Sequence, residues 1–470
     1  MKFLLFASLI LVTACNPLTT SRIAPPPPPA TYTLEQSQQL TQPADRWWRD
    51  FNDPRLNQLQ EQMFAGNLDL QQALYRLEQL EALQRAKGAS LWPSLNLNGA
   101  ANRSGSVSAG GEATATNSSI SLAAGYEVDL WNKLKDQTTA AEFRKRAGKS
   151  EIGTLLLSLS AQLTEQYFLA VEQRAQIDLL ERQVSHTQNL LEMMTERYRG
   201  GLANASELYQ AQRNLATLEV QVPGYQTQLT QAENTIALLL GKTPGAIAIK
   251  QQQLPELNNV IDIGLPADLL TRRPDVAASL LQLRTADLEL AAALADRLPS
   301  LNLSATLGRS ANQLASGNID GTFWSLALGL FQPLFDGGRL KAVSEQQEAV
   351  RAEQLAATQL SLLTAIKEVE TSLVSELNSA EKAVRLERQR IINQNFLRVT
   401  RENYLAGLTS SSDWLNSEIA QLVILSQQIS NQRQWLSHRI TLARALGGSW
   451  ITEELENQRQ TLNTQPTELK

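Results

Sequence analysis

Two stretches of this chain repeat each other at a fixed distance. Trp92-Pro93-Ser94-Leu95-Asn96-Leu97-Asn98 recurs as Leu298-Pro299-Ser300-Leu301-Asn302-Leu303-Ser304, an offset of 206 (299 − 93). Tyr198-Arg199-Gly200-Gly201-Leu202 recurs as Tyr404-Leu405-Ala406-Gly407-Leu408 (404 − 198), and Ile236-Ala237-Leu238-Leu239-Leu240-Gly241 as Leu442-Ala443-Arg444-Ala445-Leu446-Gly447, both at the same spacing. Three matches at one offset mark a tandem duplication of about 200 residues with one internal order. Any fold assigned to this chain must therefore be built twice, which excludes most arrangements of unlike domains.

The order within each half is legible. A helical segment rich in Leu, Ala, Gln and Glu comes first, over 55–90 and 274–297. A Pro-Ser pair ends it. Period-two alternation then appears at Leu95, Leu97 and Gly99, then at Ile120, Leu122 and Ala124, with the Gly/Ser-rich residues 104–119 expected to join the two runs. The second half repeats this with Leu301, Leu303, Ala305 and Leu307, then 323–330, joined by 309–321. Four strands in two hairpins are predicted. Each hairpin, about 93–131 and about 299–334, leads into a stretch nearly free of Pro and Gly, about 133–199 and about 339–403. At 1.5 Å per residue such a helix spans on the order of 100 Å and needs partner helices along its length. Glycine turns at Gly200-Gly201 and Gly407 send the chain back through 203–240 and 409–446, with a bend expected at Pro223. Antiparallel hairpins of long helices follow.

The start of the chain reads differently. Lys2, the apolar run 3–12 and Thr13-Ala14 form a short secretory signal, with Cys15 at the position a lipoprotein signal requires. Val12-Thr13-Ala14 resembles a lipobox, and Asn16, rather than Asp, follows the cysteine. The predicted organisation is a signal peptide over 1–14, a lipidated N-terminus and Pro-rich spacer over 15–50, repeat 1 over 51–250, a linker over 251–273, repeat 2 over 274–450, and a polar tail over 451–470 that is expected to fray.

Composition narrows the chemistry. With 42 Lys and Arg against 47 Asp and Glu, bulk charge gives no reason to expect a nucleic-acid partner. One Cys and 2 His, at 186 and 438, leave few residues for metal or triad chemistry, and neither a phosphate loop nor a nucleophile elbow is present. No catalytic site, metal or cofactor is expected beyond covalent lipid on Cys15. A four-stranded sheet with membrane-length strands exposes two unpaired edges, which hydrocarbon does not tolerate, so several copies must close it. The open alternative at this level is a non-conducting periplasmic coiled-coil protein with a small capping sheet.

The motif Gly264-Leu265-Pro266-Ala267-Asp268-Leu269-Leu270-Thr271-Arg272-Arg273-Pro274-Asp275-Val276 resembles the inter-repeat linker of the TolC-like outer membrane factor family. Tyr126-Glu127-Val128-Asp129-Leu130-Trp131, Phe335-Asp336-Gly337-Gly338-Arg339 and Ala445-Leu446-Gly447-Gly448-Ser449-Trp450 add to the likeness. It is strongest to the lipoprotein branch serving resistance-nodulation-division pumps, the NodT/OprM-like outer membrane efflux lipoproteins. The resemblance implies an α+β membrane protein: a homotrimer whose strands close a 12-stranded transmembrane barrel, continued by a helical coiled-coil tunnel through the periplasm. It implies a Gram-negative outer-membrane location, outer-membrane lipid around the barrel, diacylglycerol and N-acyl chains on Cys15, a periplasmic adaptor and an inner-membrane pump. The function implied is passive conduction of drugs or other small toxic molecules, with a type I protein secretion duct as the rival.

By the same resemblance the periplasmic gate falls at Asp413 and Asn416, with Trp414 and Leu415 between. Glu207 and Gln210 are their counterparts in repeat 1 (413 − 207 = 206). Asn416 departs from the family's second acid. Asp413 equally suits the first turn of a helix after Ser410-Ser411-Ser412. The adaptor-docking tips implied are Tyr198, Arg199, Gly200, Gly201 and Leu202, and Tyr404, Gly407 and Leu408. Arg272, Arg273, Pro274 and Asp275 either tie the linker to carboxylates or simply start a solvated helix. Asp129 and Trp131, and Asp336, Gly337, Gly338 and Arg339, mark the strand-to-helix transitions.

Overall fold

The computed structural model describes residues 46–108, 111–256, 272–314, 317–448 and 450–464. Cys15, the signal segment, most of the spacer, most of the 251–273 linker and the last six residues of the tail lie outside the described residues. The elements are α1 (Pro54–Gly66), α2 (Leu68–Ala89), β1 (Ser94–Ser108), β2 (Gly111–Val128), α3 (Lys133–Arg199), α4 (Ala205–Glu219), α5 (Val222–Leu239), α6 (Pro274–Ala295), β3 (Ser300–Leu314), β4 (Gly317–Phe331), α7 (Arg339–Leu405), α8 (Ser411–Leu446) and α9 (Trp450–Thr464). They divide into two compact units, one built from 75–150 and 277–361, the other from the described parts of 46–74, 151–276 and 362–464.

The first unit holds the sheet, an antiparallel meander in the order β1-β2-β3-β4. Register fixes its two faces, because side chains alternate along each strand. Leu97, Leu122, Leu307 and Trp324 form one cross-strand row, and Leu95, Ala124, Ala305 and Leu326 the next; Tyr126, Leu303 and Leu328, then Val128, Leu301 and Leu330, continue the same face. The opposite face carries Asn96, Asn98, Ser121, Ala123, Asn302, Ser304, Ser325 and Ala327, with Phe323 and Phe331 on β4. The large apolar residues stand open, with Leu95 70% and Trp324 77% exposed. A folded chain leaves such a face uncovered only where something else covers it. In this sheet β1 pairs only with β2 and β4 only with β3.

The strands are longer than expected. Residues 104–108 and 111–119 pair in register as β1 and β2, so these Gly/Ser-rich stretches are strand rather than joining loop, and 309–314 and 317–321 pair likewise. Gly, Ser and Asn have little β signal of their own, and ladder pairing overrides it.

The second unit buries a cluster of aromatic residues. Trp48 meets Trp450 edge-on at 4.9 Å and Phe51 meets Phe168 at 5.0 Å. Trp47 and Trp48 are therefore body rather than spacer, and each ring buried contributes several kcal/mol, about 3. The expected fraying tail is a helix through Thr464, docked by Trp450, Ile451 and Leu455. The predicted 55–90 helix is broken at Asn67, whose side chain accepts the Leu70 N–H at 2.9 Å and donates to Leu239 O at 2.8 Å. The returning helix is interrupted at Val220–Gln221, immediately before Pro223, as the missing N–H requires.

Candidate functional site

The two helix reversals are built by the same rule. At the end of α3 the Leu202 N–H reaches Arg197 O at 2.8 Å and the Gly201 N–H reaches Tyr198 O at 3.0 Å. At the end of α7 Leu408 reaches Asn403 O at 2.8 Å and Gly407 reaches Tyr404 O at 3.0 Å. Gly201 and Gly407 take φ of 72° and 73°, the left-handed value that lets the chain turn off a helix without a Cβ clash. Leu202 and Leu408 project from these turns, 72% and 74% exposed, and Tyr198, Arg199 and Gly200 are also exposed. Tyr404 is not. It lies 5% exposed, its ring 5.2 Å from that of Trp414, beneath the Arg197 guanidinium at 5.1 Å, so its expected place on the docking surface is corrected to core.

The returning helices also start alike. Asn204 caps α4 in a reciprocal box, accepting the Glu207 N–H at 3.0 Å while Glu207 accepts the Asn204 N–H at 3.2 Å. Ser410 caps α8, taking the Asp413 N–H at 3.3 Å and donating to the Asp413 carboxylate at 3.0 Å. Asp413 is thus a first-turn acid, one of the two uses its position allows. It also stays exposed, as does Asn416 one turn on, while Trp414 and Leu415 between them are buried with Leu190, Met194 and Ala211. The i, i+3 spacing puts both polar residues on one side of α8. Their counterparts in repeat 1 are committed elsewhere: Glu207 to its capping box, and Gln210 as acceptor of the Ser412 hydroxyl at 3.1 Å.

Away from the turn α8 is held by a polar seam. Ser437 donates to Glu165 at 2.6 Å, Arg433 lies 3.5 Å from Glu165 and 3.0 Å from Glu172, and Gln176 donates to Ser426 O at 3.0 Å. Burial pushes the Glu165 and Glu172 carboxyls up, and Ser437 and Arg433 pull the other way. Across the other side Arg439 is bonded to Glu376, both buried.

At the linker the two arginines part company. Arg272 is exposed, whereas Arg273 grips Asp275 in a fork at 3.0 and 2.6 Å, reaches Glu368 at 2.7 Å and donates to Ala445 O at 3.2 Å. Pro274 opens α6, as its missing N–H suits. Burial raises the Asp275 carboxyl and the Arg273 bonds outweigh it, holding it below the usual range.

At the strand exits Asp129 accepts the Leu134 and Lys135 N–H groups at 3.0 and 2.9 Å, and Asp336 those of Gly338 and Leu340 at 3.0 and 2.9 Å. Gly337 and Gly338 supply positive φ ahead of Arg339, the first residue of α7; in the first repeat Asn132 does so at 61°. Trp131 donates its indole N–H to Pro299 O at 2.7 Å, fastening β2's exit to the start of β3. No group of three or more metal-ligating side chains occurs among the described residues, nor is any helix there long and apolar enough to cross a membrane.

The outer membrane efflux protein family matches residues 59–242 and 265–448, two blocks displaced by the same 206 residues (265 − 59) as the internal repeat. The chain belongs to this family. Among relatives of the outer membrane efflux protein kind, it is 29% identical to the pyoverdine export outer membrane protein OpmQ of Pseudomonas putida, over 95% of this chain and 97% of that one. It is 28% identical to the toluene efflux pump outer membrane protein TtgF of Pseudomonas putida, over 86% and 85%. The Campylobacter jejuni CmeC outer membrane channel superposes with a TM-score of 0.85 over 94% of this chain and 98% of that one, at 20% identity, which establishes the shared fold. As a member of this efflux family the protein is an outer-membrane channel component of a tripartite efflux system, and the sheet and long helices are the parts such a channel is made from.

Proposed function

We propose that three copies close into one passive duct, with a 12-stranded barrel in the outer membrane and a helical tunnel in the periplasm. The observation that carries this reading is the sheet: β1 and β4 each lack a second neighbour, and the rows from Leu97 to Leu330 make one face mainly Leu, Ala, Val, Tyr and Trp, while the other is mainly Ser, Asn, Ala, Thr and Gly with Phe323 and Phe331 on β4. Since β1 and β4 run antiparallel, copies set edge to edge continue the antiparallel pattern and leave no free edge. The apolar face extends about 25 Å along β2, from Val128 to Ile120, close to the band a barrel presents to lipid. The polar face then lines a wet lumen, and a wide wet lumen leaves the choice of substrate to the pump.

Asp413 is the gate residue and Asn416 an uncharged second position. Three Asp413 carboxylates drawn together at the closed end repel each other and attract cations. The exposed Leu202 and Leu408 turns, with Tyr198, Arg199 and Gly200, seat the adaptor, which in turn joins a resistance-nodulation-division pump. Cys15 carries the lipid anchor, each buried CH₂ adding about 0.8 kcal/mol of membrane affinity; a mature chain whose mass is unchanged by Cys15→Ser, apart from the oxygen-for-sulfur difference, removes the anchor.

Planar-bilayer conductance tests the gate. Step-like openings that become larger or less sensitive to divalent cations in Asp413→Asn are the expected result. Wild-type and variant openings with identical size and cation response place the constriction elsewhere.

A further inference from the structure

The seam between α3 and α8 ends, toward the turn, at a contact unlike the others. His186 Nε2 lies 3.2 Å from Glu418 Oε1, and the same oxygen accepts the indole N–H of Trp414 at 3.2 Å. His186 belongs to repeat 1 and Glu418 to repeat 2, 232 residues on. Trp414 sits directly between Asp413 and Leu415 in sequence and is 3% exposed, so it is a buried post on which the exposed Asp413 and Asn416 side of α8 stands. The bonds of the deeper seam are made by Glu165, Glu172, Ser437 and Arg433 and none by an imidazole; His438, near Arg433 and Glu376, is pushed down by burial rather than up. Here the partner is an imidazole, 49% exposed, reaching a carboxylate 15% exposed.

The charges facing His186 are few. Glu418 of α8 favours its protonated form, and Arg401 of α7 opposes it, as does burial. On α4 the charged residues nearest that level, Arg213 and Glu219, are exposed. On α3 itself Arg182 is held by Asp178 at 2.6 Å. The Glu418 bond prevails, and the imidazole titrates above its ordinary value.

We propose that His186 is a positioning residue for the gate: its contact with Glu418 latches the first turns of α8 to α3, and the latch holds more tightly in acid than in base. The inference rests on the reading that the Asp413 face closes the channel. A bond between imidazolium and carboxylate is about twice as strong as its neutral counterpart. Because the imidazole titrates higher in the folded protein, the added hold is complete below the ordinary histidine range and disappears as pH rises through the folded value.

The test uses the full-length, detergent-extracted protein at pH 6 and pH 8.5, with His186→Gln, Glu418→Gln and Asp413→Asn beside the wild type. Two quantities are read: open probability in planar bilayers, and deuterium uptake of the 411–418 segment corrected for intrinsic rate. In the wild type both rise at the higher pH, open probability by about fivefold, the factor separating a charged from a neutral hydrogen bond. Both steps vanish in His186→Gln and Glu418→Gln and persist in Asp413→Asn. A wild type without the uptake step overturns the proposal, as does His186→Gln with the step intact. An uptake step with no matching change in conductance overturns the positioning role, and in a silent channel the uptake step decides the latch alone. Should Asp413→Asn leave cation sensitivity unchanged while the His186 steps remain, Asp413 loses its place in the gate and the latch stands.

Discussion

Single residues carry decisions here that their neighbours in sequence do not announce. Arg273 is 7% exposed and satisfied by Asp275, Glu368 and Ala445 O, whereas the adjacent Arg272 is exposed; the sequence motif contains both arginines and gives no hint of which one turns inward. Replacing Arg273 by Ala leaves Asp275 and Glu368 without their cation, and because both carboxylates are partly solvated the cost is about 2–3 kcal/mol, below that of a fully buried pair. The Asp275 carboxyl titrates below its unfolded value, so its share of this stability is present above about pH 4 and is lost as pH falls through the folded value. Thermal unfolding of wild type and Arg273→Ala should therefore differ most at neutral pH and converge in strong acid. His186 was open to sequence reading only as a lone polar residue in a long helix, because the carboxylate that gives it a role lies 232 residues away.

The elements divide by how much of their signal is local. Lys133–Arg199 and Arg339–Leu405 are legible because neither contains a proline and each runs into a glycine turn, and Ser411–Leu446 because Ser410 caps it. The outer halves of the strands are not, since their Gly, Ser and Asn read as loop until a partner strand is present. Nor was the helix at 450–464, whose polar composition hides three buried apolar residues, Trp450, Ile451 and Leu455, near its start. The two faces of the sheet make a paired prediction. Leu328→Arg, on the Leu-rich face, should cost about 2–4 kcal/mol and reduce the folded, heat-resistant species on semi-native gels. Ser304→Arg, its neighbour in β3–β4 register but on the opposite face, should assemble as the wild type does. Equal damage from both would mean that the sheet is not arranged with one face to lipid.

At the scale of the molecule a further apolar surface awaits a partner. Along α7, Leu363, Leu377, Val384, Ile391 and Leu405 are exposed at multiples of seven residues, with Glu370 and Arg398 filling the two remaining steps. A heptad-spaced apolar row of this kind is the pattern of a coiled-coil seam, and in the proposed assembly a second copy supplies the other strand. Leu377→Glu should shift the purified protein from its oligomer toward smaller species by light scattering while leaving helix content unchanged; an oligomer that survives intact moves the contact off this seam. The duplication has its own bearing on assembly. Each chain ends its long helices in two turns with the same hydrogen bonds, at Gly201 and Gly407, yet one is followed by an exposed aspartate and the other by a glutamate spent on its own helix cap. In the proposed ring there are therefore twice as many tips as subunits, nearly alike in backbone shape but different in how the acid that follows each turn is engaged. A companion ring with a subunit for every tip would sit on two kinds of seat, and its own chemically identical members would have to bind in two different ways.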